Sequence, residues 1–158
     1  MAYLLRIARL KAYRIGDRRH PLLDGTGAAL RGGRWNSPGR RIIYAAASLA
    51  VARLELLVHL PFGGVPASQV WIEIVLPDAS VESLDERALP GWNGHDYAVA
   101  RRAGDAWADE RRSLCLSVPS VPAGGERNLL INQDHPDFAQ ITSTQPQPLI
   151  WDERLFRR

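Results

Sequence analysis

Two adjacent stretches of this chain, RGGRWNSPG (31–39) and IIYAAASLAVARLE (42–55), decide how its central part folds. Residues 42–45 form a short apolar run typical of a buried strand. Ser48 is a good helix N-cap, and the apolar segment after it predicts a helix that runs to about His59. The stretch before the strand, with its paired glycines, is either an ordinary turn or a loop that lets a ligand approach the backbone.

The predicted helix carries a narrow polar stripe centred on a glutamate. At about 100° per residue, Glu55 lies within about 60° of Ser48 and His59, and apolar residues flank this stripe on both sides. A solvated helix face is normally broader, and a buried carboxylate needs a partner. Glu55 therefore either lies on a thin exposed stripe or faces a cleft, where Arg34 and a bound ligand are its candidate partners.

The remaining segments mix strand and helix patterns without regular alternation. Residues 3–15 are compatible with either structure, and residues 16–41 are predicted to form an extended loop, which at that length is usually functional or disordered. Strands are predicted at residues 70–76, 114–118, 128–132 and 148–152, and a further helix at residues 97–112. This order favours a single α+β domain over a doubly wound sheet.

Composition limits the class of protein. The chain has 158 residues, of which 46% are hydrophobic and 23% charged, as in an average globular domain. Its longest apolar stretch, residues 42–52, is too short to cross a bilayer. Basic residues interrupt the first 15 positions, which argues against a signal peptide. Cys115 is the only cysteine, so no internal disulfide is expected, which suits a reducing cytosol.

Basic residues are concentrated in the first quarter of the chain. Residues 1–41 contain ten Lys/Arg and two acids, a balance of +8, whereas residues 42–158 contain ten Lys/Arg and fifteen acids, a balance of −5. Such a cluster favours a phosphate-bearing ligand, a nucleic acid or an acidic partner. Direct nucleic-acid binding is disfavoured because aromatic residues are not interleaved with the basic ones and no DNA- or RNA-binding signature is present.

Other chemistry-bearing residues give weaker signals. Ser120 lies between two prolines in VPSVP, without the GxSxG motif of a hydrolase elbow. Tyr44, at the end of the predicted strand, is either a core residue or a ring that stacks on a planar ligand. The four histidines are far apart and no HExxH motif occurs, so no metal site is expected. No P-loop or dinucleotide-binding glycine fingerprint occurs either.

Taken in order, these motifs resemble those of the RES-domain toxins. The resemblance rests on GGRWNSPG (32–39), IIYAAASLAVARLE (42–55), SVPS (117–120) and the segment 128–138, and it extends from about Tyr13 to Leu155. The central block is specific, because Arg, Trp, Asn, Tyr and Glu follow one another at fixed spacings. Gln133 departs from the pattern, since many members have proline at this position.

The resemblance implies one RES domain over residues 1–158, with an ADP-ribosyltransferase-like α+β fold of mixed or antiparallel sheets flanked by helices. It implies a cytoplasmic toxin of a type II toxin–antitoxin system that consumes NAD⁺ and uses no metal. The implied catalytic residues are Arg34, Tyr44, Glu55 and Ser120. The residues implied to bind NAD⁺ are Arg34, Tyr44, Ser120 and Asn132. The partner would be an Xre-type helix-turn-helix antitoxin that blocks the active site in a hetero-oligomer.

The chemistry of NAD⁺ gives these residues specific parts. Nicotinamide leaves through an oxocarbenium-like transition state on the ribose, whose positive charge Glu55 would stabilise. Tyr44 would stack on the nicotinamide, Arg34 would bind the pyrophosphate or a ribose, and Ser120 would hydrogen-bond the amide or a phosphate. Attack on the ribose by water or inorganic phosphate depletes NAD⁺, and this is the expected activity. Attack by a protein side chain gives ADP-ribosylation of that protein, which is the alternative.

Overall fold

The computed structural model describes residues 9–61, 67–77 and 80–156. Within them lie eight strands and three α-helices. The strands are β1 (Lys11–Asp17), β2 (Ile42–Ala46), β3 (Gln69–Val75), β4 (Val81–Ser83), β5 (Cys115–Pro119), β6 (Arg127–Asn132), β7 (Thr142–Ser143) and β8 (Gln147–Pro148). The helices are α1 (Thr26–Arg31), α2 (Leu49–Leu57) and α3 (Ala98–Glu110). No helix in these ranges is long and apolar enough to cross a membrane.

All eight strands belong to one mixed sheet. Its order is β4-β5-β6-β2-β1-β3-β7, and β8 also pairs with β3. The β4–β5 pair is parallel and the other pairs are antiparallel. This confirms the expected α+β fold with a mixed sheet flanked by helices. Strand β2 lies between β1 and β6, so the segment that follows the glycine-rich loop occupies the middle of the sheet.

The central strands β2, β5 and β6 are largely buried on both faces of the sheet. Successive residues of β2 and β6 point to opposite faces, so Ile43 and Ile131 join one apolar cluster while Ile42 and Leu130 join another. The second cluster contains Trp107 of α3, which is fully buried. Runs of apolar residues in the central strands are therefore explained by cover on both sides.

Most of the predicted elements are confirmed. The strands predicted at 42–45, 70–76, 114–118 and 128–132 correspond to β2, β3, β5 and β6 with bounds shifted by at most one residue. The helix predicted at 97–112 corresponds to α3. Ser48 caps α2, since its Oγ accepts a hydrogen bond from the Val51 amide at 3.2 Å. Helix α2 ends at Leu57, two residues before His59.

Three predictions on secondary structure need correction or completion. The strand predicted at 148–152 is wrong: only Pro148 is in a strand, Ile150 is 79% exposed, and the Asp152 carboxylate caps a 3-10 turn instead. The loop predicted at 16–41 contains α1, which lacks a side-chain N-cap and so gave no start signal. In the ambiguous segment 3–15, the chain is a strand from Lys11 onward, and residues 3–8 lie outside the described part.

Candidate active site

A cleft of about 730 Å³ opens over the middle of the sheet. Strands β1 and β2 form its floor, α2 and the residues after β5 form one wall, and α1 with the loop that follows it forms the other. Arg34, Tyr44 and Glu55 all line this cleft. Three of the four residues predicted to be catalytic therefore share one cavity, whose size lies within the range of small-molecule sites.

Glu55 is fixed by two hydrogen bonds to one of its oxygens. Its Oε1 accepts a hydrogen bond from Ser120 Oγ at 2.7 Å and another from Asn128 Nδ2 at 2.5 Å. Among the described residues, Oε2 has no hydrogen-bond or ion-pair partner. Glu55 is half-buried and lines the cleft, so the structure supports the cleft-facing alternative rather than a thin exposed stripe.

Ser120 lies behind Glu55 rather than in the cleft. It is 3% exposed and is not among the residues that line the cavity. Its Oγ donates to Glu55 and accepts from the Ala123 amide at 3.2 Å, while its own amide donates to the Glu126 carbonyl at 2.9 Å. These contacts make Ser120 a group that orients the carboxylate, which differs from the predicted contact with nicotinamide or phosphate.

The loop of residues 32–41, here called the Gly-Arg loop, is tied to the floor of the cleft through Tyr44. The Tyr44 hydroxyl donates to Asn36 Oδ1 at 2.7 Å and accepts from the Trp35 amide at 3.1 Å. Asn36 is fully buried, and its Nδ2 donates to the carbonyls of Ala28 and Ser37 at 3.1 and 3.0 Å. Burial raises the pKa of Tyr44 above its usual value, so the hydroxyl stays protonated and can donate.

Gly33 is required by this contact with Tyr44. A Cβ at position 33 would lie 2.5 Å from the Tyr44 hydroxyl oxygen, closer than real Cβ atoms come to other atoms. The sequence suggested that the glycines leave room for a ligand. For Gly33 the structure gives a different reason, because the space is already taken by the tyrosine that anchors the loop.

Helix α3 supports the Gly-Arg loop from behind. The Asp105 carboxylate accepts from the Ser37 amide at 2.8 Å and from Ser37 Oγ at 2.6 Å, and Arg101 Nε donates to the Gly33 carbonyl at 2.8 Å. At Gly104 the helix touches the loop so closely that a Cβ would lie 1.8 Å from the Trp35 carbonyl oxygen. The Trp35–Asn36 part of the loop is thus packed into the core.

Arg34 is held at the rim of the cleft by the residues just before α3. Its guanidinium lies over the Tyr97 ring, 4.3 Å from the centroid, and Nη1 donates to the Gly94 carbonyl at 3.2 Å. It makes neither a hydrogen bond nor an ion pair with Glu55, whose contacts are to Ser120 and Asn128. Of the two candidate partners of Glu55, Arg34 therefore does not pair with it, and a bound ligand stays a prediction.

The sequence did not single out Arg14, which the structure also brings to the cleft. Arg14 lies on β1, and its Nη1 donates to the Tyr44 carbonyl at 3.0 Å. Its Nε is buried without a hydrogen-bond partner in the described part of the chain, and burial lowers the pKa of its guanidinium. A buried, incompletely paired cation attracts an anionic ligand. The available signal was an arginine inside an apolar segment, which periodicity could not assign to a strand.

Asn132 does not reach the cleft. It is 2% exposed, its Nδ2 donates to the Ala108 carbonyl at 3.0 Å, and its Oδ1 accepts from the Asp134 amide at 3.0 Å. Both ends of the side chain thus tie β6 to α3 and to the turn that follows the strand. This geometry gives Asn132 a structural role and speaks against the predicted contact with NAD⁺.

The candidate site is therefore a cleft lined by three arginines, Arg14, Arg31 and Arg34, with a tyrosine on its floor and a glutamate whose second oxygen has no partner among the described residues. Such a combination suits an anionic ligand that carries a sugar. Within the described residues no group of three or more His, Cys, Asp or Glu side chains is arranged to hold a metal ion.

The chain belongs to the RES domain family, whose family model matches residues 9–152. It is 42% identical over 141 residues to a protein of Sphingobium sp. (strain YBL2) named Prs ADP-ribosylating toxin, a match that covers 86% of this chain and 88% of the relative. It is 34% identical over 148 residues to Toxin Res of Yersinia enterocolitica, covering 90% of this chain and 97% of the relative. The resemblance found in the sequence is thus confirmed.

A solved structure shows the same fold. The chain superimposes with a TM-score of 0.72 on a chain in the crystal structure of the M. tuberculosis MbcT–MbcA toxin–antitoxin complex, covering 89% of this chain and 84% of that one. The two sequences are 20% identical. This similarity is consistent with the expected ADP-ribosyltransferase-like fold.

Proposed function

We propose that this protein is the toxin of a toxin–antitoxin system and that it consumes NAD⁺ by breaking the bond between nicotinamide and ribose. One observation carries the proposal: Glu55 lines the cleft, with Oε1 held by two donors and Oε2 without a partner among the residues that the structure describes. The names of the relatives, Prs ADP-ribosylating toxin and Toxin Res, support the same reading.

Glu55 supplies the electrostatic part of the reaction. As the bond to nicotinamide breaks, positive charge develops on the ribose, and a fixed carboxylate oxygen beside it stabilises this charge more than it stabilises bound NAD⁺. The unpaired Oε2 is the oxygen available for this and for a ribose hydroxyl. Ser120, whose Oγ donates to Oε1, acts on the substrate through Glu55.

The arginines supply binding energy. NAD⁺ carries a negatively charged pyrophosphate, and an arginine guanidinium binds phosphate oxygens through paired donors. Arg34 at the rim and Arg14 on the floor both line the cleft. We assign the pyrophosphate to these two side chains and the nicotinamide ring to the face of Tyr44, whose hydroxyl is already used by the Gly-Arg loop.

The acceptor of the ADP-ribosyl group is water or inorganic phosphate in this proposal, and either depletes NAD⁺. A second candidate, transfer to a cellular protein, is supported by the name of the Sphingobium relative. Both activities share the first half-reaction, so Glu55 and the arginines serve both.

The partner that we propose is an antitoxin of the Xre helix-turn-helix type, which would cover the cleft and form a hetero-oligomer with the toxin. The support is the solved neighbour, which is a toxin–antitoxin complex. We place the complex in the cytoplasm, where NAD⁺ is available.

The experiment is an assay of nicotinamide release from NAD⁺ by purified protein, with and without phosphate, followed by product analysis. We expect Glu55→Gln to lower the rate by about 10²- to 10³-fold. The surface variant Glu110→Gln, which carries the same change at the end of α3, should retain the wild-type rate.

Two outcomes would contradict the proposal. If the wild-type protein releases no nicotinamide, it is not an NAD⁺-consuming enzyme. If wild type and Glu55→Gln release nicotinamide at the same rate, Glu55 is not a catalytic residue. Labelled NAD⁺ incubated with cell lysate separates the second candidate: protein bands that account for the released nicotinamide indicate transfer, and their absence indicates depletion.

A further inference from the structure

A second polar residue, Asn128, holds Glu55; it begins the segment 128–138 that carries part of the family resemblance, but no role was predicted for it from the sequence. Asn128 lies on β6, which pairs on one side with β2 and on the other with β5. Its backbone is opposite Ala46 and Val118, so both neighbours fix its position. The side chain lines the cleft, and Nδ2 donates to Glu55 Oε1 at 2.5 Å. The contact joins residues 73 positions apart.

The chemistry of the two groups sets the orientation of this amide. An ionised carboxylate only accepts hydrogen bonds, so the amide nitrogen of Asn128 must face Glu55 and the amide oxygen must point away. That oxygen, Oδ1, is buried and has no hydrogen-bond partner among the described residues. An unpaired buried acceptor lowers the stability of the folded protein. The contact with Glu55 is therefore made at the cost of one unsatisfied polar atom.

The two donors on Oε1 complement each other. Ser120 approaches from the turn after β5 and Asn128 from β6, so the carboxylate is held from two elements of the sheet. Rotation of the carboxylate would break both bonds at once. Oε2 is consequently the oxygen left for a ligand.

We propose that Asn128 is a positioning residue of the NAD⁺-cleaving reaction: it fixes Glu55 so that Oε2 faces the scissile bond. This inference rests on the function proposed above. Because Asn128 acts through Glu55, its loss should lower kcat and leave KM for NAD⁺ nearly unchanged. A purely structural role would instead lower the thermal stability and leave kcat of the folded protein intact.

The test uses Asn128→Asp and Asn128→Ala in the purified full-length chain. The aspartate keeps the shape of the side chain but replaces the donor with an oxygen that repels Glu55. We expect kcat to fall at least about tenfold in both variants, with KM within about twofold of wild type. Gln145→Glu, the same amide-to-carboxylate change at an exposed position outside the cleft, should have wild-type kinetics. Retention of wild-type kcat by Asn128→Asp would overturn the proposal.

A second measurement separates this proposal from the proposed function. The side-chain amide protons of Asn128 are followed by NMR in wild type and in Glu55→Ala. A proton shifted by the carboxylate and protected from solvent exchange, with both effects lost in Glu55→Ala, supports the positioning contact. The same spectrum in both proteins overturns it. If wild type fails to cleave NAD⁺, the proposed function is wrong and this spectrum still decides whether Asn128 holds Glu55.

Discussion

The two walls of the cleft hold their charged groups by different means. Arg34 lies on the Gly-Arg loop, whose backbone is fixed from behind by buried Asn36 and by Asp105 of α3. Glu55 lies on the regular helix α2, and its carboxylate is fixed by Ser120 and Asn128. The first wall is continuous with the core, whereas in the second the groups that orient the carboxylate are separate from those that stabilise the helix. Substitutions behind Arg34 should therefore destabilise the folded protein, whereas substitutions around Glu55 should lower the activity of a protein that still folds.

The largest expected effect is at the contact between α3 and the Gly-Arg loop. In Gly104→Ala the new Cβ would lie 1.8 Å from the Trp35 carbonyl oxygen, so the helix and the loop must move apart. We expect the free energy of unfolding to fall by about 3 kcal/mol or more, measured by urea denaturation.

Gly27→Ala is the matched control for this substitution. Gly27 is in α1, and a Cβ there meets only Arg31 Nη2, at 3.8 Å. Because alanine has a higher helix propensity than glycine, we expect the free energy of unfolding to rise by about 0.5–1 kcal/mol. If Gly104→Ala and wild type unfold at the same urea concentration, the Gly-Arg loop is not fixed by α3.

An intermediate effect is expected from Tyr44→Phe. This change keeps the ring that lines the cleft but leaves Asn36 Oδ1 and the Trp35 amide without their partner. Unfolding free energy should fall by about 1–2 kcal/mol. If the ring rather than the hydroxyl serves the ligand, KM for NAD⁺ will stay close to wild type in the folded variant; a large increase in KM would place the hydroxyl in ligand binding.

The smallest effect on stability is expected from Arg34→Lys. Lysine keeps the charge but loses the planar fork that lies over Tyr97. Unfolding free energy should stay within about 0.5 kcal/mol of wild type, while affinity for ADP-ribose, measured by calorimetry, should fall about tenfold. Arg102→Lys, on the exposed part of α3, is the control. Unchanged affinity in Arg34→Lys would remove Arg34 from ligand binding.

Local signals were sufficient to predict the centre of the molecule. An apolar run gave β2, and Ser48 gave the start of α2, because a cap and a buried strand depend on few neighbouring residues. Since β2 leads directly into α2, the spacing of Tyr44 and Glu55 already placed them near each other. Arg34, one of the two candidate partners of Glu55, does not contact it, because helix geometry shows that a partner is needed but not which residue supplies it.

The rest depends on contacts between distant parts of the chain. Glu55 is joined to Ser120 and Asn128 across 65 and 73 positions, and no local pattern predicts such a distance. The strand predicted at 148–152 failed because apolar residues alone do not show whether a partner edge is available. Arg14 was missed because its segment had no periodicity that marked it as part of the cleft floor.

The position of β2 between β1 and β6 has a consequence for synthesis of the protein. A ribosome makes β1, β2 and α2 well before it makes Ser120 and Asn128, so an unfinished chain has the glutamate but neither of the groups that orient it. Without β6, one edge of β2 is also unpaired. The cleft is complete only when most of the chain has left the ribosome. If Glu55 acts as proposed, a nascent chain therefore lacks the oriented carboxylate until β6 has joined the sheet.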